Sequence, residues 1–423
     1  MAGSTIVALS SGALPSAIAI VRLSGAGAHA AAATLCALPE KGEVALREVR
    51  DPTDRSLIDE GIVLRFDAPR SATGEDGVEF HLHGSPAIVD RVIALLVAQP
   101  DVRLAEPGEF TRRALMAGKM DLIEAEALSD LLAAETEEQR RQAMTQMKGG
   151  LSGEIHILLS RTIDLSAQVE AAIDYVGDED EIARVDDVST LLEGLKTDIE
   201  GLLRSPSRRP LHDGIRVVFA GPPNSGKSSL FNKIVGFDRA IVDSRPGTTR
   251  DSIEYPVRLD DRAYIFVDTA GVRDMTDDRI ERAGIDRTHG AVSSADILIW
   301  FGDPDSQPQH ANSIQVSPKC DLVKTWWPGV PVSSRSSDGE RALLTALRQA
   351  AAQILPGPNE AVLNVRHRKL LSDILDELAG PAHDLPILAS SLTMARRRFE
   401  ELLGVGTLDD VLDRVFSRFC LGK

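Results

Sequence analysis

"GPPNSGKS", residues 221–228, follows the β-branched and aromatic run "IRVVFA" and leads into "SLFNKIVGF", whose apolar residues recur at helical spacing. The stretch fits G-x-x-x-x-G-K-[ST] between a strand and a helix. In that setting backbone N–H groups cradle phosphates, Lys227 reaches the β and γ phosphates, and the Ser228 hydroxyl ligates Mg²⁺. Asn224, Ser225, Gly226 and Ser229 complete the phosphate loop. A short pattern arises by chance more often than a long one, but a chance match has no reason to fall between a strand and a helix. The reading therefore predicts a P-loop α/β domain.

Downstream residues supply the other parts of a switching GTPase. About twenty residues on comes "GTTRD", where Thr249 would close the metal shell, and then the strand "AYIFVDTAG". Asp268 at its end suits the Mg²⁺ shell, and the Gly271 N–H suits the γ-phosphate. The base-reading segment should be N-K-x-D, and the chain has "SPKCD", with Pro318 in the Asn position and Lys319 and Asp321 kept. Asp321 can accept from N1–H and the exocyclic amine of guanine, a pairing that adenine lacks. Ser334 in "VSSR" has a backbone N–H suited to the guanine oxygen. Val272 stands where Ras-like enzymes place a water-orienting Gln, so the water must be held from elsewhere. The run "DDRIERAG" offers Asp277, Asp278 and Glu281 for that role. The Asn224 amide oxygen either helps to bind a monovalent cation or stiffens the loop by local bonds.

The rest of the chain frames this block. At 423 residues and 43% hydrophobic it has room for two or three cores. Residues 1–118 mix short β-rich runs with helical stretches; 119–213 read as long helices; 214–357 alternate β and α; and 358–423 are helical again. Helical sequence on both sides of an α/β block predicts an insertion, hence a multidomain α/β plus α fold with a discontinuous helical domain. No apolar run reaches the length of a membrane span and no signal peptide is read, so a cytoplasmic protein without a membrane partner is expected. Cys36, Cys320 and Cys420 lie far apart in odd number, which argues against a disulfide framework or a CxxC zinc site. A net charge of −17 disfavours unaided nucleic-acid binding. The clusters "RHRK" (366–369) and "RRR" (396–398) are solvated helix faces or docking points for tRNA or a partner. His81 and His83 share a strand face, with no clear third ligand for a metal.

The phosphate loop with Asn224, the "GTTRD" loop, "DTAGVRD" followed by "IERAGI", the N-terminal "TGEDGVEFHLHG" and "PGEFTRRALMAGKMDLIEAEAL", and "FCLGK" at 419–423 occur in one order over the whole chain. Together they resemble the MnmE (TrmE) family of tRNA-modification GTPases. The resemblance implies an N-terminal α+β folate-binding and dimerisation domain, a discontinuous helical domain ending in a C-x-G-K motif, and an inserted Ras-like, potassium-dependent G domain. It implies a homodimer that joins the flavoprotein MnmG in a heterotetramer, with tRNA held largely by the partner, to modify the wobble uridine of certain tRNAs. GTP contacts carry over to Asp243, Ser244, Arg245, Pro246, Gly247, Thr248, Thr269 and Ala270. The resemblance also places K⁺ on Asn224, Asp243, Arg245 and Thr248, and Mg²⁺ on Ser228 and Thr249. Glu281 becomes the catalytic carboxylate and Cys420 a candidate nucleophile. Arg22, Glu79, Lys119 and Lys423 become the pocket for 5-formyltetrahydrofolate or another tetrahydrofolate. Two alternatives stay open: a folate-binding partner of MnmG whose GTP switch has partly decayed, and a GTPase acting in ribosome assembly.

Overall fold

The computed structural model of the chain describes residues 4–174, 181–205, 210, 213–237, 254–260, 262–268, 290–321, 327–333, 335, 337–357, 360–381, 383–406, 409–416, 419 and 422. These residues form two compact units, 1–129 with 396–423, and 130–395.

The first unit is built on a six-stranded sheet. Its strands are β1 (Thr5–Leu9), β2 (Ser16–Ser24), β3 (Val44–Arg50), β4 (Leu57–Phe66), β5 (Gly77–Gly84) and β6 (Val102–Leu104), in the order β3-β4-β5-β2-β1-β6. Only β6 runs parallel to its neighbour β1. Period-two alternation sets the layers. Val78, Phe80 and Leu82 of β5 turn to one face, where Ala28 and Ala32 of α1 (Ala28–Ala33) and Val89, Val92 and Leu96 of α2 (Pro86–Val97) cover them. Each such fully buried aliphatic or aromatic side chain contributes about 1.5–3 kcal/mol. On the opposite face α3 (Glu109–Met116) sets Phe110 over Ile6 and Ala8. Beyond α3 that face stays open, and Ile18, Val44 and Leu46 are each about 60% exposed.

The start of α3 is fixed by charge. Arg103 clamps Glu109 with Nη1 and Nη2 at 2.8 and 2.6 Å, and Arg113 reaches both Glu109 and Glu75. Burial pushes the Glu109 carboxyl up, yet the Arg103 hydrogen bonds and those from Glu106 N–H and Arg113 bring it down to about 2. A depressed carboxylate stabilises the fold above its unfolded pKa and loses that effect as pH falls toward 2.

Leu122 and Ala125, in α4 (Leu122–Ala133), pack with Leu412, Phe416 and Phe419, so the terminal helix Asp409–Phe416 belongs with the first unit. Gly108 allows the approach. Its φ is +72°, and a Cβ there would stand 2.7 Å from the Phe416 carbonyl oxygen. Farther along, the Ser10 hydroxyl donates to the Gly422 carbonyl at 2.8 Å. Gly422 has φ +90°, and a Cβ would collide with the Leu9 carbonyl.

The second unit joins a helical layer to an α/β block. The layer contains α5 (Glu137–Met147), α6 (Gly150–Asp174) and α7 (Glu181–Leu203). The block contributes β7 (Ile215–Ala220), α8 (Lys227–Phe237), β8 (Glu254–Leu259), β9 (Arg262–Asp268), β10 (Ile297–Trp300), β11 (Ser313–Pro318), β12 (Val330–Val332) and α9 (Ser337–Ile354). The chain then returns to the layer through α10 (Val365–Glu377) and α11 (Leu385–Leu403). Helix α7 packs on both α6 and α10, so the layer is contiguous in space though interrupted in sequence. Arg368 of α10 donates to the Leu203 carbonyl at 2.8 Å and to that of Ser205, satisfying carbonyls that the end of α7 leaves open. The basic clusters thus have structural partners. His367 is buried in a capping box with Asn364, Arg396 pairs with Glu400, and Arg398 pairs with Glu401. Among the described residues no helix is long and apolar enough to cross a membrane.

Gly422→Ala should free the terminal segment from β1. Backbone strain of roughly 1–3 kcal/mol at a left-handed position would raise amide exchange of the 419–422 peptide by about tenfold or more. Unchanged protection in hydrogen-exchange mass spectrometry would show that the site tolerates a side chain.

Candidate functional site

The second sheet has the order β12-β11-β10-β7-β9-β8. All neighbours are parallel except β8, which runs against β9. Strand order reverses at β7, whose two neighbours are β9 and β10, and such a reversal leaves a crevice beyond the carboxyl ends of the strands. The phosphate loop leaves β7 at that point. Gly221 opens it at φ +145°, and a Cβ there would lie 2.9 Å from Phe301 Cβ and 3.0 Å from the Phe301 carbonyl carbon. Asn224 at φ +59° and Gly226 at φ +99° complete the turn into α8. The left-handed backbone and the helix N-terminus together form an anion-binding concavity.

Lys227 is only 5% exposed, and its ammonium donates to the Gly221 and Pro222 carbonyls at 2.9 and 2.7 Å. A buried ammonium is held by such acceptors until a stronger anionic acceptor is offered. Ser225 is buried, whereas Ser228 and Ser229 stand exposed in the first turn of α8. Asp268 ends β9 opposite Phe219 of β7, 8% exposed, at the same end of the sheet.

The segment after β11 meets this loop directly. Lys319, at φ +56°, donates from Nζ to the Asn224 carbonyl at 2.8 Å. The Cys320 N–H donates to the Val332 carbonyl at 3.2 Å, and the Trp327 indole N–H donates to the Val316 carbonyl at 3.0 Å. Exposed Asp321 has its carboxyl held below the usual carboxylate range, chiefly by a hydrogen bond from Ser333, with slight burial opposing and the Arg335 charge adding. It is therefore an ionised acceptor at neutral pH. Pro318 is buried in register with Val332 and has no side-chain amide to share. The sequence points to Ser334 in "VSSR" and passes over Ser333, whose signal was its place beside a strand end. Phe301, the wall against Gly221, carries no motif at all.

Asn224, Ser225, Gly226, Lys227, Ser228, Ser229, Asp268, Lys319 and Asp321 thus lie on loops, strand ends or the first turn of α8. Asp243, Ser244, Arg245, Pro246, Gly247, Thr248, Thr249, Thr269, Ala270, Gly271, Val272, Asp277, Asp278, Glu281 and Ser334 lie outside the described residues.

A second candidate site is on the open face of the first sheet. Arg22 and Glu79 are cross-strand partners, with Arg22 Nε donating to Glu79 Oε1 at 2.8 Å. The guanidinium also lies 5.7 Å from the Phe110 ring centroid, within range of a cation–π contact. Lys119 follows α3, and a Cβ on Gly74 would stand 3.2 Å from its Cε. Cys420 and Lys423 lie outside the described residues. His81 and His83 do not converge on one ion: His81 contacts Glu79 at 3.1 Å and His83 contacts Asp59 at 2.8 Å.

A phosphate loop at the reversal of a mostly parallel sheet, tied to Lys319, defines a P-loop nucleotide-binding protein. The chain belongs to the MnmE family. Family models described as "GTP-binding protein TrmE N-terminus" and "MnmE helical domain" match residues 5–119 and 122–420. Curated relatives named "tRNA modification GTPase MnmE" include that of Erythrobacter litoralis, 43% identical over 99% of this chain and 100% of its own. The relative from Novosphingobium aromaticivorans is 40% identical over 99% of each chain. The one from Zymomonas mobilis is 39% identical over 99% of this chain and 100% of its own.

Pro318→Asn should tighten GDP binding about two- to tenfold by restoring one side-chain hydrogen bond. Lys319→Met should weaken it about tenfold by cutting the tie to Asn224. Titration calorimetry with GDP tests both, and level or weaker binding by Pro318→Asn would mean that the backbone has adapted to proline.

Proposed function

We propose that this chain is a potassium-dependent GTPase which, with MnmG, adds an aminomethyl or carboxymethylaminomethyl group at C5 of the wobble uridine of certain tRNAs. The one-carbon unit would come from 5-formyltetrahydrofolate or another tetrahydrofolate. One observation supports the GTP reading: Lys319 ties its loop to Asn224 of the phosphate loop, and ionised Asp321 stands two residues beyond Lys319. Guanine offers the N1–H and amine that such a carboxylate accepts.

Metal placement follows from donor chemistry and family likeness. Ser228 and Thr249 suit Mg²⁺, with hydroxyl oxygens at the loop and the closing segment. Asn224, Asp243, Arg245 and Thr248 would hold K⁺. The Asn224 carbonyl is already taken by Lys319, so its share would fall to the side-chain amide. A bound K⁺ would stabilise charge developing on the phosphates, a task that Val272 cannot perform. Glu281 would orient the attacking water through an intermediate.

For folate, Arg22, Glu79, Lys119 and Lys423 provide cations for a glutamate tail and a carboxylate for pterin N–H groups. Cys420 is the candidate nucleophile of the one-carbon step. The exposed apolar face of β2, β3 and β4 supports homodimerisation through the first unit. With a net charge of −17 and Arg368, Arg396 and Arg398 of the basic clusters engaged within the chain, tRNA would be held largely by MnmG, in a cytoplasmic heterotetramer. A second reading is favoured by Pro318: a folate-binding partner of MnmG whose GTP switch has partly decayed. A GTPase confined to ribosome assembly would leave the first unit without a role.

GTP turnover should be several-fold faster in KCl than in NaCl at matched ionic strength, and Glu281→Ala should slow it at least about tenfold with GTP binding retained. Equal rates in the two salts would overturn potassium dependence; negligible turnover in both would favour the decayed switch. Reconstitution with MnmG, tRNA, GTP and folate, read by nucleoside mass spectrometry, tests the modification. Cys420→Ser should abolish or strongly reduce modified uridine there, and normal levels would return Cys420 to a packing role.

A further inference from the structure

Strand β5 places Glu79, His81 and His83 on the open face of the first sheet, because Val78, Phe80 and Leu82 occupy the core face. Arg22 stands directly opposite Glu79 on β2, and Ile20 and Ile62 stand opposite His81 on β2 and β4. The Glu79 carboxylate is gripped on both oxygens. Arg22 Nε donates to Oε1 at 2.8 Å, and His81 Nε2 lies 3.1 Å from Oε2. A carboxylate oxygen there accepts, so Nε2 carries the proton in the pair.

Two fixed donors on opposite oxygens stop the carboxylate from rotating, and roughly two of its four lone-pair sites remain available. Stability does not account for such a grip. Both side chains are partly exposed, at 28% and 16%, and exposed ion pairs contribute little to folding. The neighbouring His83 differs. Its partner Asp59 is 8% exposed and accepts from the backbone N–H groups of His83 and Glu60 as well as from the His83 ring, which is an ordinary way to satisfy a buried carboxylate. Glu79 has no such backbone donors among its hydrogen bonds to Arg22 and His81. Its orientation is a feature of side chains alone, on the face where Phe110 and Arg22 meet.

We propose that His81 is a positioning residue of the folate site, holding Glu79 in the rotamer that accepts paired N–H donors. The ligand class is a 2-amino-4-oxopteridine, whose N3–H and 2-amino group form such a pair, and the proposal rests on the folate reading given above. His81 touches the carboxylate rather than the ligand. Arg22 cannot replace it, because its hydrogen bond to Glu79 is to the other oxygen.

The test is titration calorimetry of 5-formyltetrahydrofolate into the full chain at neutral pH, beside thermal melts and light-scattering mass. His81→Leu removes the donor and should weaken binding about tenfold. His81→Gln keeps an N–H donor and should stay within about threefold of the parent, a rescue that a merely structural role would not give. Glu79→Gln serves as the control for the carboxylate itself. Parent-like binding by His81→Leu, or equal loss in His81→Leu and His81→Gln with unchanged melts and mass, would overturn the proposal while leaving the folate reading intact. If His81→Leu melts early, the comparison rests on His81→Gln against His81→Asn, whose shorter amide falls short of Oε2; parent-like binding by His81→Asn would overturn the proposal. Absence of folate binding by the parent chain would overturn the folate reading first.

Discussion

Everything at the nucleotide end depends on a place where the chain has no room for a side chain. Gly221 leaves β7 between two parallel neighbours and presses against Phe301, at the end of β10. A methyl group there would push the phosphate loop away from the sheet or splay the strands. Because the contact holds, the loop carbonyls can gather the Lys227 ammonium, and the Asn224 carbonyl faces Lys319. The phosphate loop and the loop that carries Lys319 are thus mechanically joined through one side chain and one carbonyl. Pro318 removes one side-chain link from that assembly and leaves Lys319 as the described connection.

The first unit solves a different problem. Its sheet has helices on one face and only α3 and the terminal segment on part of the other. Polar residues on the open face sit at its centre, where Arg22, Glu79 and His81 face one another, and exposed Ile18, Val44 and Leu46 surround them. A surface of this kind favours a covering partner, while the ligand proposed for the central charges would need access to the same face. Binding and assembly would then be competing demands on one sheet.

How much of this could be read from residues alone follows the range of the interactions. The phosphate loop was legible because its chemistry lies in eight consecutive residues with fixed backbone demands. The interruption of the helical layer was legible from composition. The association of residues 396–423 with the first unit was not, because it depends on Phe416 meeting Gly108, two residues with no shared motif. Ser333 escaped notice because a hydroxyl beside a strand end has no pattern of its own. Arg368 looked like part of a basic patch, since only the fold reveals the carbonyls of Leu203 and Ser205 waiting beside it.

The Ser10–Gly422 hydrogen bond spans 412 positions, and this separation bears on how the chain is born. The first sheet can assemble early in synthesis, since its strands are close in sequence. Its terminal cover cannot, and must wait until the helical layer and its inserted block have left the ribosome. Closing so long a loop adds little entropy beyond that of a loop half its length, roughly 0.6 kcal/mol, so the delay is one of time rather than of equilibrium. During that interval the nascent sheet exposes Leu9 and Ser10 to solvent and to chaperones.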